Sequence, residues 1–297
     1  MNWRWCTLSL AILSLATSCR NDEAKTIIVD GSSTLYALAE TAIVNLVAKH
    51  SVSLTMSGSG TGIERLCSGN ASIALSSRPI TALEERLCED NGITMVILPI
   101  ARDEVTFVVP RANLWLESLS LQQISAIWGS RTLERWSELD PAFPQSQIHR
   151  FAPGATSGTL VVAMRGLFGF SEENNPTRHL TNVMFEDDYM LATHLTRSNS
   201  GIGILPGVYA NHFKSTLRKL EIQDPAANLR GLERILSIVV SRNDLGRPEV
   251  RHVVQTLLNA ERTYGAKLGY LPLSPSERQA QQEQLGLFFP SDEEVER

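Results

Sequence analysis

Short apolar runs alternate with helical patterns along most of the chain, and this alternation limits the possible folds more than any other feature. The clearest helical pattern has Leu35, Leu38, Ala42 and Leu46 at spacings of three and four residues. The runs that predict strands are TIIVD, VSLTM, ASIAL, TMVILPI, EVTFVVP, IHRFAP, GIGILP and ILSIVVS. The alternation favours an α/β fold with mostly parallel sheets. In such sheets ligands bind beyond the carboxyl ends of the strands, where turns lead into helices.

The N-terminal segment predicts export. An apolar run, residues 8–15, follows Arg4 and ends in small residues directly before Cys19. This is the layout of a signal peptide over residues 1–18, and the apolar run is shorter than the roughly 20 residues of a membrane span. The cysteine resembles the acylated first residue of bacterial lipoproteins, which would make residues 19–25 a polar tether. The alternative is an ordinary signal peptide with Cys19 unmodified.

Composition excludes some classes of partner. The chain has 43% hydrophobic and 20% charged residues, as ordinary globular proteins have, and 297 residues are enough for two lobes. Its net charge of -5 argues against a general affinity for nucleic acid or for anionic lipid.

Two of the four cysteines are expected to remain available for pairing. Cys6 lies in the signal peptide and Cys19 is the predicted lipidation site, which leaves Cys67 and Cys88. An oxidising compartment favours a disulfide between them. The alternative is two buried free thiols.

Three turns rich in glycine and hydroxyl residues each follow a predicted strand and open a predicted helix. They are DGSST (Asp30–Thr34), SGSGTG (Ser57–Gly62) and GATSGT (Gly154–Thr159), with helices expected from Leu35, Ile63 and Leu160. Each turn offers unpaired N–H groups, hydroxyls and glycines that admit a ligand close to the backbone. One such turn would indicate only helix capping, but three in one chain predict an anion site. None of them is a dinucleotide or P-loop fingerprint.

A positively charged residue, Arg78, follows the ASIAL strand. Arg78 could offer a bidentate fork to an oxyanion at the carboxyl end of that strand. The alternative is an arginine in a surface salt bridge.

An enzyme is the competing class, and the motifs do not favour it. Ser157 lies at a strand-to-helix turn but lacks the G-x-S-x-G elbow, and the histidines are scattered along the chain. No His/Cys/Asp group has the spacing of metal ligands. We therefore predict neither catalytic residues, nor a metal site, nor a cofactor.

Several ordered segments together resemble the phosphate-binding proteins of bacterial phosphate ABC transporters. The segments are GSSTLYALAE, GSGTGIERLCSGNASIALSSRPI, ERLCEDNGI, SLQQISAIWGSRTLERWSEL and FAPGATSGT. The resemblance implies a type II periplasmic-binding-protein fold, in which two hinge strands join two α/β lobes around a ligand cleft. It implies crossings near residues 102–108 and 236–240. Lobe I would then comprise residues 26–101 plus 237–297, and lobe II residues 102–236.

The resemblance also implies a function and a set of ligand contacts. It implies a monomer at the periplasm or cell surface, held by its lipid anchor, that captures inorganic phosphate or a related tetrahedral oxyanion for the membrane permease of an ABC transporter. It also implies a disulfide between Cys67 and Cys88. The contacts carried over from the family's motifs are Ser33, Thr34, Ser59, Arg78, Ser157, Gly158 and Thr159.

Two departures leave the ligand's identity open. Thr156 and Ser72 stand where the resembled proteins often have acidic residues that would accept a hydrogen bond from protonated phosphate. Asp30 and Glu40 are candidates for that role only because they are close to the first turn in sequence. A tethered module that senses an anion or docks on a membrane partner, without transport, is the alternative function.

Overall fold

The computed structural model describes residues 26–44, 46, 51–130, 132–168, 183–223 and 232–288. The predicted signal peptide, Cys19 and the tether lie outside the described residues. The strands are β1 (Ile27–Gly31), β2 (Val52–Leu54), β3 (Ile73–Ser76), β4 (Met95–Pro110), β5 (Ser118–Leu119), β6 (His149–Pro153), β7 (Val183–Phe185), β8 (Gly201–Pro206), β9 (Leu217–Lys219), β10 (Glu221–Ile222) and β11 (Glu233–Ser241). The helices are α1 (Ser33–Ile43), α2 (Ser59–Cys67), α3 (Ala82–Asp90), α4 (Leu121–Gly129), α5 (Trp136–Leu139), α6 (Gly158–Phe168), α7 (Asp188–Leu195), α8 (Gly207–His212), α9 (Arg242–Leu245), α10 (Pro248–Leu268) and α11 (Pro275–Phe288).

Nine of the described strands form a mixed sheet in the order β2-β1-β3-β11-β4-β8-β6-β7, with β9 also paired to β4, and β5 and β10 pair in a small separate sheet. Strand β1 is parallel to β2 and β3, and β6 is parallel to β7 and β8. Strand β11 is antiparallel to β3 and β4, and β4 is antiparallel to β8. The predicted α/β class and type II fold are confirmed, with one parallel group of strands in each lobe.

Strand β4 joins the two groups of strands. Its pairing with β11 ends at Glu104, and its pairing with β8 begins at Val105. The prediction that TMVILPI and EVTFVVP form separate strands is therefore wrong. The polar residues between the two runs continue the strand because Asp103 pairs with Arg234 of β11 and Arg102 with Glu233. The lobe boundaries given above stay a prediction.

Each lobe contains buried apolar side chains. In the first, α1 and α10 pack on the sheet, with Leu38 and Leu257 among the buried residues. In the second, Trp128 and Trp136 are fully buried. The predicted disulfide is present: Cys67, the last residue of α2, is bonded to Cys88 of α3, with 4.4 Å between their Cα atoms. No helix in the described ranges is long and apolar enough to cross a membrane.

Candidate functional site

The three predicted turns do open helices, and the helices begin earlier than predicted. Helices α1, α2 and α6 start at Ser33, Ser59 and Gly158 rather than at Leu35, Ile63 and Leu160. The apolar periodicity that predicted the helices begins later than the helices because their first residues are hydroxyl-bearing or glycine. These residues therefore carry the N–H groups that have no partner within the helix.

The structure brings the three helix starts together across the two lobes. Thr34 Oγ1 of α1 lies 3.4 Å from Thr159 Oγ1 of α6. The N–H of Gly60 in α2 donates to the carbonyl oxygen of Thr156 at 3.1 Å, and Thr156 Oγ1 donates to the carbonyl oxygen of Ser57 at 3.1 Å. The turn before α6 thus closes over the turns of the first lobe.

A glycine permits this close approach. A Cβ atom on Gly158 would lie 2.5 Å from Ser77 Oγ and 3.0 Å from Ser59 Oγ. Ser59 Oγ lies 3.2 Å from Ser77 Oγ and accepts a hydrogen bond from the Ser77 N–H at 3.0 Å. Thr34, Ser59, Ser77 and Thr159 are all buried, and we call them the hydroxyl cluster. Ser77 was missed in the sequence, although it stands directly before Arg78 in the quoted segment SSRPI.

Two further predicted contacts lie at the edge of this cluster. Ser33 Oγ donates to Asp188 Oδ2 at 2.7 Å. Ser157 Oγ accepts the N–H of Thr159 at 3.2 Å and therefore caps its own helix. Both serines are buried beside the hydroxyl cluster, and both side chains already have a protein partner.

Arg78 is buried rather than exposed, and a carboxylate binds its guanidinium. Its Nη1 and Nη2 donate to Glu84 Oε2 at 2.9 Å and Oε1 at 2.7 Å. Nη1 also donates to the carbonyl oxygen of Pro79. Because Glu84 also forms a capping box with Thr81 at the start of α3, this pair is held firmly. The guanidinium of Arg78, which was predicted to bind an oxyanion, thus binds the carboxylate of Glu84.

A different arginine reaches the hydroxyl cluster. Arg234 of β11 donates from Nη2 to Thr34 Oγ1 at 3.1 Å and from Nη1 to the carbonyl oxygen of Ser77 at 3.3 Å. Its Nη2 also pairs with Asp103 Oδ2 at 2.9 Å, and both side chains are 1% exposed. Arg234 was not among the predicted contacts, since it stands one residue before the run ILSIVVS. A charge beside a run that predicts a buried strand was the available signal.

Polar atoms without a partner mark the same region. Among the described residues, Arg234 Nε, Asp188 Oδ1 and Ser32 Oγ are buried and have no hydrogen bond. A buried donor or acceptor left unpaired costs about 1–3 kcal/mol, and more when it is charged. A small ligand that both accepts and donates hydrogen bonds would match such a set.

Asp188 supplies the carboxylate that the sequence did not identify. It is the first residue of α7 and is completely buried. Burial raises the pKa of Asp188 to about 7, although the Ser33 hydroxyl and the charge of Arg234 oppose the shift. Near neutral pH this carboxyl can therefore gain or lose a proton. The tandem acids Glu186, Asp187 and Asp188, at the start of α7, were the available sequence signal.

Asp30 and Glu40, which the sequence suggested as acceptors of a hydrogen bond from protonated phosphate, are placed differently from Asp188. Burial alone raises the pKa of Asp30, but hydrogen bonds from Thr55, Ser57, Gly31 and Arg65 outweigh it and hold that pKa below its usual value. Asp30 is therefore ionised, and its hydrogen bonds connect the first two turns. Glu40 is exposed on α1.

A further acid lies beside the third turn. A Cβ atom on Gly154 would lie 1.7 Å from Glu186 Oε1, so only glycine leaves room for this side chain. Burial raises the pKa of Glu186, and hydrogen bonds from Thr156 reduce that shift.

The predicted lack of a metal site and of a serine nucleophile stays a prediction. In the part of the chain that the structure describes, no three His, Cys, Asp or Glu side chains are grouped to hold a metal ion. His149, the histidine nearest to Ser157 in sequence, has its Nδ1 3.2 Å from Ser198 Oγ.

Comparison with known proteins decides the family. A family model described as a PBP superfamily domain matches residues 16–178, more than half of the 297 residues. The chain belongs to the PBP superfamily. Relatives of this PBP-superfamily chain confirm its resemblance to the phosphate-binding proteins of bacterial phosphate ABC transporters. Protein SphX of Synechocystis is 27% identical over 285 residues, 90% of this chain and 84% of the relative.

Two further comparisons point the same way. The phosphate-binding protein PstS of Staphylococcus saprophyticus is 26% identical over 199 residues, 66% of this chain and 60% of the relative. The solved structure of a phosphate-binding protein from Stenotrophomonas maltophilia matches with a TM-score of 0.67 at 14% identity, covering 87% of this chain and 93% of that one. At that identity the structural match establishes the shared fold.

Proposed function

We propose that this protein is an extracytoplasmic solute-binding protein that captures inorganic phosphate for the membrane permease of an ABC transporter. The observation that carries the proposal is the convergence of three helix starts on the hydroxyl cluster and Arg234. Helix N-termini attract anions through their free N–H groups and their dipoles. The printed names of PstS and of the Stenotrophomonas maltophilia protein, both phosphate-binding, support this choice of anion.

Phosphate fits the electrostatics of the site better than a fully ionised anion does. Asp103 balances the charge of Arg234, so Asp188 decides which anion the site tolerates. An ionised Asp188 accepts a hydrogen bond from a P–OH group but repels sulfate, which carries no proton at neutral pH. A protonated Asp188 would instead donate to either anion. When Asp188 is ionised, phosphate can therefore supply the proton of the hydrogen bond between them, and sulfate cannot.

The proposed ligand contacts are Ser33, Thr34, Ser59, Arg78, Ser157, Gly158 and Thr159, to which we add Ser77, Asp188 and Arg234. Because Glu84 occupies both terminal nitrogens of Arg78, we assign Arg78 an indirect role. Its Nη2 lies 3.4 Å from where a Cβ of Gly60 would be, so it adds positive potential at the first turn of α2. Arg234 takes the direct role.

The remaining parts of the proposal concern location and assembly. Residues 1–18 would direct export, Cys19 would carry the lipid anchor, and residues 19–25 would be the tether. Lobe I (26–101 and 237–297) and lobe II (102–236) would close over the anion by bending at β4 and β11, which both cross between the lobes. The protein would act as a monomer, without catalysis or cofactor, and deliver its ligand to the permease.

Isothermal titration calorimetry tests the proposal. The protein from residue 20 onward is freed of carried-over anion by unfolding and refolding, and is then titrated with phosphate, arsenate, molybdate and sulfate. We expect tight binding of phosphate and arsenate and much weaker binding of sulfate. Equal affinity for phosphate and sulfate, or no binding of phosphate, would refute the function proposed here.

A further inference from the structure

A cavity lies along α1, and its lining residue Tyr36 comes one helical turn after Ser33. It has a volume of about 330 Å³ and lies between α1, α7, α8 and the end of α10. This is near the lower end of the range, about 300–1,000 Å³, found for small-molecule sites. Its walls include Tyr36, Met56, Tyr189, Tyr209, His212 and Leu268, and we call it the tyrosine cavity.

The charges at the tyrosine cavity are of one sign. Glu40 of α1 and Asp187, the N-cap of α7, both line it, and neither lysine nor arginine is among its described lining residues. Burial raises the pKa of Tyr36, and the charges of Glu40 and Asp187 raise it further. Burial also raises the pKa of Tyr209, with added effects from carboxylates that include Asp187 and Glu40. The cavity therefore has a negative potential and favours a cation.

The aromatic walls are held in position by the fold. The hydroxyl of Tyr209 donates to the carbonyl oxygen of Ser33 at 3.1 Å. The ring centroid of Tyr189 lies 5.1 Å from that of Phe213 and 5.9 Å from that of His212. Ordered aromatic rings combined with carboxylates are the environment that binds alkylammonium groups, through cation–π attraction and charge.

We propose that the tyrosine cavity is a second ligand site, which accepts an alkylammonium group. The cavity joins α1 of the first lobe to α7 and α8 of the second, so an occupant would stabilise the closed arrangement of the lobes. The ammonium group can come from a free organic cation. It can also be the far end of a molecule whose phosphate lies at the hydroxyl cluster, because Tyr36 follows Ser33 by three residues and Asp187 adjoins Asp188. Only this second source rests on the proposed phosphate function.

Calorimetry on the full chain in mild detergent separates these sources. The probes are choline, phosphocholine, inorganic phosphate and 3,3-dimethylbutan-1-ol, which has the shape of choline without its charge. We expect choline, phosphocholine or both to bind, and the neutral alcohol not to bind. If choline binds and phosphate does not affect that binding, the ligand is a free organic cation. If phosphocholine displaces phosphate and binds more tightly than phosphate, one ligand spans both sites.

The outcome that overturns this proposal differs from the failure of phosphate binding. If choline binds no better than the neutral alcohol and phosphocholine no better than phosphate, the tyrosine cavity is not an ammonium site. If phosphate fails to bind while choline binds, the proposed transport function falls and this site remains.

Substitutions assign the binding to the cavity. Tyr36→Leu removes the ring and should weaken choline or phosphocholine binding by about threefold to thirtyfold, whereas Tyr36→Phe keeps the ring and should retain it. Glu40→Gln should weaken binding as well. Glu64→Gln, at an exposed position of α2, is the matched control and should leave affinity unchanged. Unchanged affinity in both Tyr36→Leu and Glu40→Gln, with normal circular dichroism, would overturn the assignment.

Discussion

Arg234 Nη2 donates a hydrogen bond to Thr34 Oγ1 at 3.1 Å and thereby ties β11 to the first turn of α1. The two residues are 200 positions apart in the chain. The same nitrogen pairs with Asp103 of β4. Opening of the lobes at β4 and β11, the proposed hinge strands, would change the surroundings of this arginine. The arginine is therefore placed to couple anion binding to lobe closure.

Replacing Arg234 with lysine should weaken phosphate binding by at least about tenfold, because one ammonium group cannot reach Thr34, Ser77 and Asp103 together. Lysine keeps the positive charge, so Asp103 is not left without a counter-charge and the fold should persist. Calorimetry measures the affinity and thermal unfolding checks the fold. Arg262→Lys, at an exposed position of α10, is the control. Wild-type phosphate affinity in Arg234→Lys would remove this residue from the site.

Replacing Asp188 with asparagine should reduce the preference for phosphate over sulfate. Asparagine keeps the shape and can still accept a hydrogen bond from Ser33, but it carries no charge and can donate to sulfate. We expect sulfate to bind more tightly and phosphate less tightly, so that the ratio of their dissociation constants changes by about tenfold or more. Competition calorimetry measures this ratio, with Asp90→Asn in α3 as the control. An unchanged ratio would mean that another group selects the anion.

The pH dependence of stability should report the protonation of Asp188. Because burial raises its pKa to about 7 in the folded protein, from the ordinary value of 3.8, the folded state holds a proton that the unfolded state has already released between these values. The contribution of this group is fully present below about pH 4 and is lost as the pH rises through about 7, with a size on the order of a few kcal/mol.

Chemical denaturation of the anion-free protein at a series of pH values measures this effect. We expect the free energy of unfolding to fall between about pH 4 and pH 7, and to fall less in Asp188→Asn, because the substitution removes the titrating group. The affinity for sulfate should fall as the pH rises above about 7, because Asp188 then loses the proton that it would donate to sulfate. Parallel curves for the two proteins would show that Asp188 does not titrate in this range.

Replacing Gly158 with alanine should prevent the lobes from closing fully. The added Cβ would lie 2.5 Å from Ser77 Oγ and 3.0 Å from the Ser77 carbonyl carbon, across the lobe interface. Each lobe can still fold, since the clash arises only on closure. We expect phosphate affinity to drop by at least about tenfold, and the radius of gyration from small-angle scattering no longer to decrease when phosphate is added. Gly286→Ala in α11, where a Cβ meets nothing within 4 Å, is the matched control. Normal closure in Gly158→Ala would contradict this role of the glycine.

Local patterns predicted much of the fold and part of the site. The alternation of apolar runs predicted strands now seen as β1, β3, β6, β8 and β11. The three turns were recognised because hydroxyls and glycines at a helix start have chemical consequences within a few residues. The two cysteines were paired from compartment and resemblance. Each of these features depends on short stretches of sequence, which is why it could be found without coordinates.

Tertiary structure decided which charges meet the hydroxyl cluster. Arg78, adjacent to a recognised motif, lies against Glu84, while Arg234 reaches Thr34 from a distant strand. Asp188, rather than Asp30 or Glu40, supplies the buried carboxyl with a raised pKa. The physical reason is that the cost of burying a charge depends on its partners, and those partners come from whichever distant segments the sheet places side by side. The sequence by itself predicted an anion site, whereas the pairing of β4 with β11 and the position of α7 decided which charges lie beside the hydroxyl cluster.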